Sequence, residues 1–226
     1  MALLALLFFL FTGPQAWAAG FPAQSVAVIY DAGNPDASIG IVGGDFLELG
    51  SWYEDFEVVG FDTKNIIVKE QTSFDAIKWP AQGKITRQIL ARARERFVVK
   101  QLRAIYEAQM RYCEKYEDSA FAPSLNDLIN QEFLPDGFKK SAKQNYSFAI
   151  VSTGQTPRMA AYKRQPTFYA VAKPLDPEKD PYYFSVDHLG QVRFAASLNN
   201  AAWGPVWDYA DTTGGPRKTP VILSTK

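Results

Sequence analysis

A long stretch without proline or glycine lies between Gly83 and Pro123, and it constrains the fold of this chain more than any other feature. Within it, apolar side chains recur at steps of three and four residues, which is the period of one face of an α-helix. Thr86 has the side chain of an N-cap, so we expect the helix to begin there. The period continues to Tyr116, which predicts one apolar stripe on a helix about 45 Å long.

The residues before this helix alternate with the period of β-strands. Ser25 to Tyr30 predict a strand, and the pair Gly43-Gly44 predicts a tight hairpin turn into the strand that follows. A second hairpin is predicted from Phe56 to Lys69, with its turn at residues 62–64. Trp79-Pro80 and Gly83 then indicate a linker between this β region and the helix.

After the helix, Ser124 predicts the cap of a short helix, and aromatic strands separated by proline-rich turns follow. The predicted fold class is therefore α+β, with a long amphipathic helix packed on an antiparallel sheet and preceded by a small β domain. The predicted divisions are a signal peptide (1–19), a small β domain (20–74), a linker (75–84), a helix-plus-sheet domain (85–196) and an irregular C-terminal tail (197–226).

The first residues are apolar and uncharged, and they are followed by Gly13-Pro14 and then Ala16-Trp17-Ala18-Ala19. An apolar run of this length before an A-x-A-like site is typical of a cleaved secretory signal, and it is short for a membrane span. An uncleaved anchor is the alternative. We expect an exported chain in the periplasm or outside the cell, without a membrane span after cleavage. Its single cysteine, Cys113, excludes an internal disulfide framework.

Five motifs follow one another between Glu95 and Arg193. They are a helix with tyrosines in its last turns, a Pro-Ser-Leu-x-x-Leu step, an aromatic strand, an Ala-x-Pro strand end and an Asp-x-x-Gly-x-Val-Arg turn. The matching residues are Tyr106, Tyr112, Tyr116, Pro123, Ser124, Leu125, Leu128, Tyr146, Phe148, Ala172, Pro174, Asp187, Gly190, Val192 and Arg193. In this order the chain resembles the periplasmic head of type IV pilins and type II secretion pseudopilins.

The β region from Ile41 to Val68 also resembles the small β domains of secretion-system periplasmic adaptors. Pilins carry an apolar helix directly after a Gly-Phe-like cleavage site, whereas Gly20-Phe21 is followed here by Pro22 and β-like sequence. A chain without that helix does not enter a filament in the usual way. The resemblance therefore implies a non-catalytic exported pilin-like structural or adaptor protein, and its expected partners are envelope proteins of a secretion or pilus apparatus.

Charge patterning suggests a ligand-binding module as an alternative function. Lys plus Arg and Asp plus Glu both number 24, so nucleic-acid binding requires a local basic patch and is not the expected function. The predicted helix carries a basic stripe of this kind, formed by Arg92, Arg96, Lys100 and Arg103. The stripe is a candidate site for binding an acidic protein, anionic lipid or DNA, and a solvated helix face is the alternative. Acidic residues lie near the last two strands, where related pseudopilin heads bind calcium. The weak calcium candidates are Asp176, Asp180 and Asp187, with Glu178 beside them; solvated turn acids are the alternative.

Enzymatic activity is not expected from the remaining candidates, and no cofactor is predicted apart from this weak calcium possibility. His188 is the only histidine, and it lies in a turn without the further partners of a triad or zinc site. Cys113 is expected to be a buried thiol, with a reactive or intermolecular thiol as the alternative. An exported hydrolase, built around His188 or paired acids, is the least favoured function.

Overall fold

The computed structural model of the protein describes Pro22 and residues 24–116, 120–139, 142–152 and 168–196. The predicted signal peptide and the predicted C-terminal tail lie outside these described residues. Most of the regular structure is β, with strands that form three antiparallel sheets. The helices are α1 (Arg87–Lys115) and α2 (Leu125–Asn130), and two 3-10 turns span Pro35–Ala37 and Asp136–Lys139.

Two of the sheets precede α1 in the chain. The first contains β1 (Val26–Ile29), β2 (Ile39–Val42) and β3 (Asp45–Leu47), in that order. The second contains β4 (Trp52–Tyr53), β5 (Phe56–Phe61), β6 (Asn65–Glu70) and β7 (Ala76–Pro80), also in chain order. The third sheet follows α1 and contains β8 (Ala142–Lys143), β9 (Tyr146–Ser152), β10 (Phe168–Pro174), β11 (Tyr183–Asp187) and β12 (Val192–Ala195). Each strand of the third sheet pairs with its neighbour in the chain.

Both predicted hairpins before α1 are confirmed. Gly43 and Gly44 join β2 to β3 with φ angles of 64° and 134°, which a residue with a side chain rarely adopts. In the second hairpin, Asp62 accepts hydrogen bonds from the backbone N–H groups of Lys64 and Asn65 through Oδ1, at 2.9 and 2.8 Å. Those bonds fix the turn between β5 and β6.

The predicted helix caps are also confirmed. The Thr86 hydroxyl accepts a hydrogen bond from the backbone N–H of Ile89 at 3.3 Å, and α1 starts at the next residue. The Ser124 hydroxyl accepts one from the N–H of Asp127 at 3.2 Å at the start of α2. Among the described residues, no helix combines the length and the apolar character that crossing a membrane requires.

The first sheet is the middle layer of the molecule, because every residue of β2 is buried. Ile39 and Ile41 share one apolar core with α1 and the third sheet. Val42, which points to the opposite face of the strand, shares a second core with Val58 and Trp79 of the second sheet. The second sheet is thus fixed to the rest of the protein through the first.

The predicted fold class, a long helix packed on one antiparallel sheet and preceded by a small β domain, is wrong. The described chain is mostly β, and its 29-residue helix α1 is buried against strands of both the first and the third sheet. Phe97, Val98 and Val99 are all completely buried. Successive helix residues are about 100° apart, so these three cover more than half of the circumference. A single apolar stripe does not describe such a helix.

Residues 76–80, which fall in the segment predicted as a linker, form strand β7 of the second sheet. Strand β7 pairs with β6 over five residues, and Trp79 on it is among the largest fully buried side chains. Beyond the strand, Val26 and Gln82 exchange two backbone hydrogen bonds of 2.8 Å, which connect the second sheet to the first. This segment therefore contributes to the core of the β region.

Candidate interaction surface

The structure places two residues of the predicted basic stripe in internal contacts. Both contact Glu48, which directly follows β3. Lys100 Nζ lies 3.2 Å from Glu48 Oε2, and Arg96 Nη1 lies 3.9 Å from Glu48 Oε1. The Arg96 guanidinium also stacks over the Phe46 ring, 4.7 Å from its centroid. Arg92 and Arg103 are likewise engaged in interactions of their own. Half of the stripe thus holds α1 against the first sheet, and binding of DNA or an acidic partner there stays a prediction.

The predicted calcium candidate Asp180 is a buried partner of the helix. Its side chain is completely buried, and Oδ2 accepts a hydrogen bond from Asn145 Nδ2 at 2.6 Å. Arg94 Nη1 lies 3.4 Å from the same oxygen. The positive charge beside Asp180 is therefore a guanidinium from α1, and this ion pair connects the helix to the loop before β11.

The other two calcium candidates stabilise local turns. Asp176 Oδ2 pairs with Lys179 Nζ at 2.6 Å, and the hydrogen bond from that ammonium lowers the pKa of the carboxyl. Asp187 Oδ1 accepts the backbone N–H groups of Leu189 and Gln191 at 2.9 and 3.1 Å. The described residues contain no group of three or more His, Cys, Asp or Glu placed to hold a metal ion. Calcium binding stays a prediction.

His188 and Cys113 lie in different surroundings. His188 is half-buried in the turn between β11 and β12, and its Nδ1 atom is buried without a hydrogen-bond partner among the described residues. The predicted burial of Cys113 is confirmed, because its thiol lies in a cluster with Phe121 and Phe168. The structure brings neither residue together with the candidate acids into one described site.

A buried polar cluster that the sequence did not reveal joins all three parts of the chain. Asp31 Oδ2, just after β1, accepts hydrogen bonds from Gln101 Nε2 of α1 at 2.9 Å and from Lys143 Nζ of β8 at 2.6 Å. The ammonium of Lys143 also lies 4.1 Å from the centre of the Phe138 ring. This cluster fixes the arrangement of the first sheet, the helix and the third sheet.

Among the described residues, the two aromatic side chains with the highest exposed fraction lie at one end of the second sheet. Trp52 is 52% exposed, and Phe74, in the turn between β6 and β7, is 96% exposed. Trp52 pairs with Glu57, and Glu57 pairs with Lys69, so these three side chains lie on one face, opposite the buried Val58 and Val68. Lys69 Nζ lies 5.5 Å from the centre of the Phe74 ring, which places Phe74 on that face too.

We call the face defined by Trp52, Glu57, Lys69 and Phe74 the outer face. Val59 lies beside it, 39% exposed, because a bulge between Val58 and Gly60 leaves it outside the strand pairing. No described helix or strand covers the outer face. Sequence patterning does not predict this face, because β4 has only two residues and β7 ends in proline.

No protein-family model, curated protein or solved structure matches this chain at a significant level. The assignment of a function therefore rests on the chain's own motifs and geometry.

Proposed function

We propose that the protein is a non-catalytic, exported, pilin-like structural or adaptor protein that contacts a secretion or pilus apparatus in the bacterial envelope. The apparatus and the export are taken from the pilin-like order of motifs and from the signal-like N-terminus. The observation that carries the contact role is the exposed outer face. Exposed aromatics grouped on one surface favour protein–protein contact, because aromatic anchors supply much of the binding energy of interfaces.

The fold supports this role because the outer face is held in place from behind. Val58, Val68 and Trp79, on the opposite side of the same sheet, pack against Val26, Val42 and Leu47 of the first sheet. The first sheet is in turn held against α1 by the Glu48 ion pairs. A surface that is already ordered loses little conformational entropy on binding, and this favours affinity.

Site-specific photo-crosslinking in the source bacterium tests the proposal. A photoreactive phenylalanine analogue replaces Phe74 in one variant and Leu189 in the control, since Leu189 is also well exposed, at 65%, but belongs to the third sheet. We expect position 74 to capture a component of a secretion or pilus apparatus, and position 189 not to capture it. Failure of position 74 to capture any such component would contradict the proposal, and so would equal capture from both positions.

A further inference from the structure

We infer that the outer face binds a lysine- or arginine-rich protein segment that also carries apolar side chains. In this complex, the apolar groups and the stems of the basic residues lie against Trp52 and Phe74. The charged ends meet carboxylates in the two turns beside these aromatics. The inference rests on the proposed contact function, and it specifies the chemistry of the partner at that surface.

Four acidic residues, which we call the turn carboxylates, surround this end of the sheet. They are Glu54 and Asp55 in the turn between β4 and β5, together with Glu70 and Asp75 around the turn between β6 and β7. The two turns are adjacent, since the backbone N–H of Gln71 donates a hydrogen bond to the Asp55 carbonyl at 3.2 Å. None of the turn carboxylates has an ion-pair partner within the part of the chain that the structure describes.

Tyr53 lies beside one of these turn carboxylates. Burial raises the pKa of its phenol most, and the carboxylates of Glu54 and of Asp45 in β3 raise the pKa further. The positive charges of the sheet lie mainly at its other end, where Lys78 pairs with Asp62 at 3.4 Å. A cationic partner is therefore attracted to the Trp52–Phe74 end in particular.

The aromatic side chains are suited to cations as well as to apolar groups. The ammonium of Lys69 already lies over the Phe74 ring, in the geometry of a cation–π contact. Tryptophan binds cations more strongly than phenylalanine does, and no cation from the described residues lies over the Trp52 ring. Neighbouring strands are about 4.8 Å apart, so β4 and β6 are about 10 Å apart, which matches the width of one extended segment or one helix.

Fluorescence anisotropy with a labelled peptide of alternating lysine and valine tests the inference on the purified full chain. A peptide with glutamate in place of lysine is the matched probe. The test variant neutralises the turn carboxylates as Glu54→Gln, Asp55→Asn, Glu70→Gln and Asp75→Asn. The control variant changes the net charge by the same amount at other exposed positions, as Glu107→Gln, Glu114→Gln, Glu132→Gln and Glu178→Gln.

We expect the test variant to bind the lysine peptide about tenfold more weakly than the parent, because it loses several surface ion pairs. The control variant should retain the parent's affinity within about twofold, since only the overall charge changes. A second test variant, Trp52→Ala with Phe74→Ala, should also weaken binding, with unchanged thermal unfolding midpoints showing that both test variants are folded.

Three results would overturn the inference. These are equal binding by the test and control variants, equal binding of the lysine and glutamate peptides, and a dimer in sedimentation experiments that the Trp52→Ala, Phe74→Ala variant no longer forms. The proposed function fails separately. If position 74 still captures an apparatus component when the turn carboxylates are neutral, contact is retained and the cationic partner is wrong. If capture fails while the peptide binds, the envelope function is wrong.

Discussion

Removing the ammonium of Lys143 should destabilise the protein strongly, because that group neutralises a buried carboxylate. Its Nζ atom lies 2.6 Å from Asp31 Oδ2, and the two side chains are only 7% and 13% exposed. The substitution Lys143→Met keeps most of the apolar stem and removes the charge. Asp31 retains hydrogen bonds from Gln101 Nε2 and from the backbone N–H of Gly33, each at 2.9 Å.

Breaking a buried ion pair by removing one partner costs about 3–5 kcal/mol of unfolding free energy. Since Asp31 keeps two hydrogen bonds, we expect the lower end of that range, about 3 kcal/mol. Urea unfolding followed by circular dichroism measures the loss. With a slope of about 2–3 kcal/mol per molar urea, the unfolding midpoint should fall by about 1 M or more.

The chain offers a matched control for this experiment. Lys179 also lies 2.6 Å from a carboxylate, that of Asp176, but its side chain is 69% exposed. Lys179→Met should therefore leave the urea unfolding midpoint nearly unchanged, because solvent screens an exposed pair. In addition, Asp31→Asn combined with Lys143→Met should cost less than the sum of the single changes, because the two side chains interact directly. If Lys143→Met costs no more than Lys179→Met, the buried pair does not hold the layers together.

Two further substitutions and one titration test other parts of the fold. Gln109→Leu should lower the unfolding free energy by about 2 kcal/mol in urea titrations. The buried amide of Gln109 donates a hydrogen bond to the Ala122 carbonyl at 2.9 Å and accepts one from the Ala122 N–H at 2.8 Å, and leucine can form neither. No loss of stability would mean that this contact is not formed. Gly33→Ala should cost about 1–3 kcal/mol by the same assay, because its Cβ would overlap the backbone of Gly137; an unchanged midpoint would refute the close approach. An NMR titration of the Asp62 carboxyl should give a pKa of about 2, lowered from 3.8 mainly by the hydrogen bond from the Lys64 N–H. The ionised carboxylate then stabilises the fold fully above about pH 4, and this stabilisation is lost as the pH falls through 2. A titration midpoint near pH 4 would contradict the turn geometry.

The elements that sequence reasoning predicted correctly depend on neighbouring residues. Gly43-Gly44 specifies a hairpin turn because residues with a side chain rarely adopt its backbone angles. Thr86 and Ser124 specify helix starts because each side chain binds a backbone N–H three residues away. Signals of this kind are complete within a few residues, so they do not depend on the rest of the fold.

The arrangement of these elements was not predictable in the same way. The side chains of Phe97, Val98 and Val99 lie on more than one side of α1. Three consecutive apolar residues of this kind indicate a helix that is buried on two sides, but the long apolar period was interpreted as one stripe. Gln101 is polar and completely buried, and its partner Asp31 lies 70 residues earlier in the chain. Such contacts become visible only when distant segments are brought together, so the position of the first sheet against the helix was missed.

Equal numbers of acidic and basic residues also gave a misleading impression of the surface. Several carboxylates serve the fold, since Asp31, Glu48 and Asp180 pair with Lys143, Lys100 and Arg94 between different layers. Each of these pairs uses one acidic and one basic residue, so the charges that remain still balance over the whole chain. The turn carboxylates lie together beside the outer face, and none of them has an ion-pair partner among the described residues. A chain with no net charge can therefore still present a local negative surface, because the total counts do not determine where the charged side chains lie, and that surface is the one we propose for recognition.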